Sequence, residues 1–178
     1  MRLCVVFTKE APLRFVSHLD IQRLFQRAFR RARLPLAFSQ GFNPHPLVSF
    51  AAALSVGMTS SGEYLDVTLT EDMTPEAFTA AVAPTLPAGA RIVEVFDMGE
   101  SRKSLTSAME RAEYSAHVTF GDAVTEDELR NAASELLSGA IVIQKKTKGG
   151  IKPTDIRPWV GRLELMSLSG SEAVFEIE

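Results

Sequence analysis

The side chains equipped for chemistry lie in three stretches of this sequence. The first is Ser39-Gln40-Gly41-Phe42-Asn43-Pro44-His45-Pro46. Gly41 admits backbone conformations that other residues resist, and Pro44 and Pro46 force Asn43 and His45 into extended geometry, so the loop is stiff. Alternate side chains of an extended segment share a side, which puts Asn43 and His45 together and turns Phe42 away, expected toward the core. An amide and an imidazole on a preorganised loop, with Ser39 and Gln40 beside them, suit the polar edges of a ligand and lose little entropy on binding. The plainer alternative makes Asn43 a turn former that satisfies local amides and His45 an exposed side chain.

The second stretch, Arg14-Phe15-Val16-Ser17-His18-Leu19-Asp20, opens an arginine-rich helix. Free amides at a helix start attract anions, and with Arg14 just before them they could hold a phosphate or carboxylate. His18 lies about one turn before Ile21 on the apolar side and reads as a cap or a partly buried structural histidine. If the first loop folded over the helix start, His18 and His45 would converge, and the sequence leaves that open. The third stretch runs from Lys145 to Trp159 and carries Lys145, Lys146, Lys148, Lys152 and Arg157. Gly149-Gly150 suits the tip of a basic ribbon that reaches a groove or a phosphate backbone. Trp159 is expected in the core, the alternative being a surface on which a base stacks.

Charge supports an anionic partner. The chain has 178 residues and a formal net charge of -3, but the signs are segregated. Residues 1–50 carry eight basic against two acidic side chains, residues 51–138 five against fifteen, and residues 139–162 six against one. A surface built only for solubility would mix them, so two basic blocks point to faces that meet an anion, although solvated helix faces also produce charge runs. At 46% hydrophobic the chain can bury a real core. No apolar run approaches the ~20 residues of a membrane span and no secretory leader is legible, so the expected location is the cytoplasm.

Several classes of chemistry are disfavoured. A cluster held on three cysteines is out of reach, because Cys4 stands alone in Leu3-Cys4-Val5-Val6-Phe7, where it reads as a small buried hydrophobe. Cys4, His18, His45 and His117 have no zinc-ligand spacing. The phosphate-binding loop, the dinucleotide glycine fingerprint and the Gly-x-Ser-x-Gly elbow are absent. No cofactor and no metal are expected.

The elements that must position these residues follow from pattern. Leu3 to Thr8 reads as a strand. Ser17 caps a helix running to about Arg33, with Ile21, Leu24, Phe25, Ala28, Phe29 and Ala32 on one stripe and Arg23, Arg27, Arg30 and Arg31 outside it. Residues 47–53 and 64–70 read as strands, Thr74-Pro75 opens a second helix, and residues 91–96 form another strand. The order β-α-β-β-α-β predicts an α+β fold, a ferredoxin-like domain with an antiparallel sheet over residues 1–97. Residues 98–112 read as a connector. A shorter α+β unit follows over residues 113–178, with a Thr125-x-x-Glu128 capping box, a helix to about Leu137 and further strands at 141–145, 159–166 and 173–177. It reads as an incomplete copy of the first unit whose last strand is truncated or at a sheet edge.

Residues 14–20, the arginine-rich helix, residues 39–46, Gly62-Glu63-Tyr64-Leu65-Asp66 and Asp155-Ile156-Arg157-Pro158 resemble the radical-SAM-linked protein family over nearly the whole chain. The resemblance implies a domain of unknown function fused to, or encoded beside, a radical SAM protein with a cobalamin-binding-type domain. It also implies genes near a ribonuclease of the E/G type and large-subunit ribosomal proteins, hence an RNA or ribosomal setting. It carries no catalytic residues. Three readings follow: a non-catalytic module that binds tRNA or rRNA for a radical SAM partner, a protein-only adaptor for that partner, and a metal-independent RNA-processing enzyme using His18 and His45.

Overall fold

The computed structural model describes residues 1–99 and 103–178. The described residues form a mixed α+β structure of four α-helices and nine strands, divided into two compact units, Met1–Met109 and Glu110–Glu178.

In the first unit β1 (Arg2–Lys9), α1 (His18–Arg31), β2 (Val48–Phe50), β3 (Ser60–Thr68), α2 (Pro75–Val82) and β4 (Ile92–Asp97) follow one another. The antiparallel sheet has the order β2-β3-β1-β4, with Leu3 opposite Val67 and Cys4 opposite both Asp66 and Phe96. This is the ferredoxin-like arrangement. Alternation sorts β1 into two faces. Leu3, Val5 and Phe7 meet Ile21, Phe25 and Phe29 of α1 and Phe78 and Val82 of α2 in the main core. Phe7 meets Phe25 edge-on at 4.5 Å between centroids, and Phe29 meets Phe78 at 5.7 Å, so aromatic geometry adds to area burial.

The other face of the sheet is also covered. The stretch read as a connector contains α3 (Leu105–Ala108), whose Leu105 is buried against Cys4 and Ala51; residues 100–102 of that stretch lie outside the described residues. Arg2 pairs with the buried Asp66 on this face at 2.5 Å and donates to the Lys103 carbonyl at 3.0 Å. Burial first, and then the nearby Asp66 carboxylate, pushes the Cys4 thiol up to about 11.

The second unit holds β5 (Tyr114–Thr119), α4 (Glu126–Ser138), β6 (Val142–Thr147), β7 (Gly150–Asp155), β8 (Leu163–Ser169) and β9 (Glu172–Ile177). Thr125 and Glu128 form the expected capping box. The topology departs from an incomplete copy of the first unit. The sheet order is β5-β9-β8, so the last strand is central and paired along both edges, while β6 and β7 form a separate two-stranded ribbon. The tight β8–β9 hairpin turns at Gly170, whose φ of 60° suits glycine, and leaves the far edge of β9 to β5. Leu129, Leu165 and Ala173 form the core of this unit.

Candidate nucleic-acid interface

Helix α1 is built for two environments. Ser17 caps it by accepting the Asp20 N–H, and Ile21, Phe25, Ala28 and Phe29 face the sheet. Residues 23, 27 and 30 are spaced four and three apart and therefore share the opposite side, the outer two ~10 Å apart along the axis. All three arginines are exposed. Arg23 pairs with Asp20 at 2.9 Å, whereas Arg27 and Arg30 make no hydrogen bond or ion pair among the described residues. Arg31 sits to one side and donates to the Thr85 carbonyl.

The helix mouth, read from the sequence as a place for an anion, carries an acidic side chain of its own. Asp20 already supplies a carboxylate there, its pKa lowered first by the Ser17 hydroxyl, which donates at 2.7 Å, and then by Arg23. Arg14 donates through Nε to the Gly57 carbonyl at 2.7 Å, with its guanidinium 5.4 Å from the centroid of the Phe15 ring. His18 is half-buried, 3.0 Å from Gln22 Nε2 and edge-on to Phe50 at 5.4 Å.

Residues 39–46 form a projecting loop. A bridge between Phe38 and Pro46 closes its neck, and Gly41 turns the chain at φ 126°. The Ser39 hydroxyl accepts the His45 N–H at 3.1 Å and lies 2.8 Å from Nδ1 of the same residue, which fixes the imidazole beside the loop backbone. Gln40 and Asn43 are exposed and form no hydrogen bond among the described residues. Phe42 is fully exposed, against the expectation that it enters the core, because the closed neck holds the whole tip away from the sheet.

His18 and His45 do not converge. Helix α1 starts where β1 ends, whereas the loop precedes β2, whose first residue Val48 lies at the level of Leu3 at the start of β1. The two imidazoles therefore stand at opposite ends of the sheet and share no partner. Near His18 the structure places a group not foreseen from the sequence. Lys9, with 2% of its surface exposed, lines a narrow cleft with His18, Phe7, Ile21, Phe50 and Glu63 and donates to the Ser55 carbonyl at 3.4 Å. Burial lowers its pKa, with Glu63 opposing. The available signal was the apolar run Leu3 to Phe7, separated from Lys9 only by Thr8.

The open sheet face of ferredoxin-like modules commonly stacks single-stranded bases. Here that face carries Asp66 and Glu94 and is capped by Leu105, so it is poorly suited to a polyanion. The basic groups lie elsewhere. In the second unit the ribbon places Lys145 directly opposite Lys152, with Lys146 next along β6 opposite Ile151 and Lys148 in the turn at the tip. Arg157, expected among the ligand-binding residues, is turned inward: its Nε donates to the Leu137 carbonyl at 2.6 Å and Nη1 to that of Val160 at 2.7 Å. Trp159 is 65% exposed, against the expectation of a core position, because the chain enters a 3-10 turn at Arg157–Trp159 rather than a strand.

Residues 2–177 match a family described as "Uncharacterized protein conserved in bacteria (DUF2344)". The chain belongs to that family. No curated protein matches it. The match spans both units, so the arginine stripe of α1 and the lysine ribbon both lie within the DUF2344 region. Among the described residues no three His, Cys, Asp or Glu side chains are grouped to hold a metal ion, and no helix is long and apolar enough to cross a membrane.

Proposed function

We propose that this DUF2344 protein is a non-catalytic accessory module that binds RNA, tRNA or rRNA, through its phosphates and presents it to a radical SAM partner in the cytoplasm. The observation that carries the reading is the stripe on α1, where Arg27 and Arg30 stand exposed opposite the buried face of the helix and, among the described residues, unpaired. An unpaired guanidinium costs nothing in water, but a row of them repels itself and is relieved by a polyanion. The lysine ribbon of the second unit repeats the feature on an independent scaffold. The radical SAM partner rests on the family resemblance and on the single, inert cysteine, which leaves this chain unable to hold a cluster of its own.

The test has two arms. Fluorescence anisotropy with labelled tRNA and rRNA fragments across a salt series should give affinities that fall linearly with log salt concentration. Co-purification from the native cell at low salt should recover the radical SAM protein and RNA together. Recovery of the protein partner with no measurable RNA affinity would replace this reading with that of a protein-only adaptor.

A further inference from the structure

Four observations converge on the base of the ribbon in the second unit. First, β6 and β7 pair only with each other, and two-stranded ribbons are marginal in water unless something else supports them. The supports visible here are local. The Asp155 carboxylate accepts the Ile141 and Arg157 N–H groups, both at 2.9 Å, and Ile156 N–H donates to the Ile141 carbonyl. At the tip, Gly150 at φ 108° closes a two-residue turn over Lys148 and Gly149.

Second, the register sets Lys145 against Lys152 on one face, with Ile143 and Thr154 beside them. Like charges directly opposite each other destabilise an antiparallel pair, and an anion placed between them reverses the sign. The one acidic group of the ribbon, Asp155, is occupied by backbone amides and does not neutralise them. Third, Lys145 Nζ lies 5.3 Å from the centroid of the Trp159 ring, and the indole remains 65% exposed, so its surface is largely open beside a cation. Fourth, the backbone under Trp159 is held. Trp159 N–H donates to the Ile156 carbonyl, and the two carbonyl contacts of Arg157 tie this turn to the end of α4 and to Val160.

We infer that Trp159 and the Lys145–Lys152 pair form a binding site for unpaired nucleotides, the indole stacking on a base while the lysines take the flanking phosphates. A π-face held rigidly beside cations is what single-strand binders use, and stacking is indifferent to base identity because every base offers a face. Bases inside a duplex are already stacked on their neighbours and cannot reach the ring, so the site selects loops, bulges and ends. The inference rests on the RNA-binding reading above and narrows it to single-stranded segments at this site.

Trp159 is the sole tryptophan of the chain, so intrinsic fluorescence reports on this site alone. The intact protein is titrated at constant ionic strength with labelled oligouridylate, a labelled RNA duplex of equal length, inorganic polyphosphate and polyglutamate. Anisotropy follows total binding of each RNA, and tryptophan emission follows the site. The expected result is saturable quenching by oligouridylate in step with anisotropy, and none by the duplex or polyphosphate. Trp159→Ala should then weaken oligouridylate binding roughly 5- to 150-fold, the stacking of one base, while Trp159→Phe retains most of it. Folding of both variants is checked by circular dichroism. RNA binding that leaves emission unchanged, or full affinity in folded Trp159→Ala, overturns this site while leaving RNA binding in place. Absence of anisotropy change with every RNA overturns the broader reading, and quenching by polyglutamate instead assigns the site to an acidic protein.

Discussion

Replacing Arg27 and Arg30 together by alanine tests the charge argument where the structure makes it most quantitative. Both guanidinium groups are exposed and have no hydrogen bond or ion pair among the described residues, so neither must break such a contact to meet a phosphate. Each phosphate contact contributes about 0.7 to the slope of log affinity against log salt for single strands and about 0.9 for duplex. Losing two should therefore lower the slope by about 1.4 to 1.8. Carried over the decade from 1 M to 0.1 M salt, that is a loss of roughly 25- to 60-fold in affinity at 0.1 M. Stability should hardly change, because the side chains leave no cavity; the favourable position of Arg30 in the last helical turn limits the cost to about 1 kcal/mol at most. Asp20→Asn, which releases Arg23 from its ion pair, should strengthen binding. The assay is anisotropy against labelled RNA over a salt series, with a thermal melt of each variant. A folded double variant with the slope and affinity of the parent would refute the assignment of this face to RNA.

Other outcomes follow from groups whose environment is well defined. Cys4 should resist iodoacetamide in the native protein at pH 8 and react once the protein is unfolded in guanidinium, because it is fully buried and its pKa is pushed up to about 11; rapid native labelling would contradict this. Lys9→Met should raise the melting temperature at pH 7. The folded pKa of Lys9 lies below its unfolded value, so its charge is a penalty below the folded pKa, and that penalty fades as pH rises toward the ordinary lysine range. The advantage of the variant should shrink over the same window, and a lower melting temperature at pH 7 would mean that Glu63 and the Ser55 carbonyl outweigh burial. Thr125→Ala should lower the melting temperature of the second unit by ~5 °C by removing one half of its capping box. The Glu128 pKa is lowered first by the Thr125 amide and then by the Thr125 hydroxyl, so the contribution of this carboxylate is present above its unfolded pKa and lost as pH falls through the folded one. The gap between variant and parent should therefore narrow in acid, and a gap independent of pH would place the effect elsewhere.

Nearest neighbours decide the features legible in the amino-acid order. Ser17 and the three-and-four spacing of Ile21, Phe25, Ala28 and Phe29 specify α1 and, by exclusion, its arginine stripe. Thr74-Pro75 and Thr125-x-x-Glu128 specify two further helix starts, and Gly149-Gly150 marks the ribbon tip. Each of these signals acts over a few residues through capping, periodicity or turn geometry, so none needs a distant partner. The order of elements in the first unit then leaves few ways to pair its strands, which is why the ferredoxin-like sheet was legible. Contacts between distant residues set the remaining features. The central place of β9 depends on its pairing with β5, some sixty residues earlier in the chain, and alternation within a strand does not say which strand will lie beside it. The burial of Lys9 and the separation of His18 from His45 depend on which end of the sheet each loop occupies. Arg157 and Trp159 exchanged their expected roles for the same reason. A guanidinium two residues from an indole can turn inward only where free carbonyls await it: the end of α4 brings that of Leu137, and the turn itself presents that of Val160. The indole is left outside beside Lys145, because the 3-10 turn that satisfies the backbone points it away from the core.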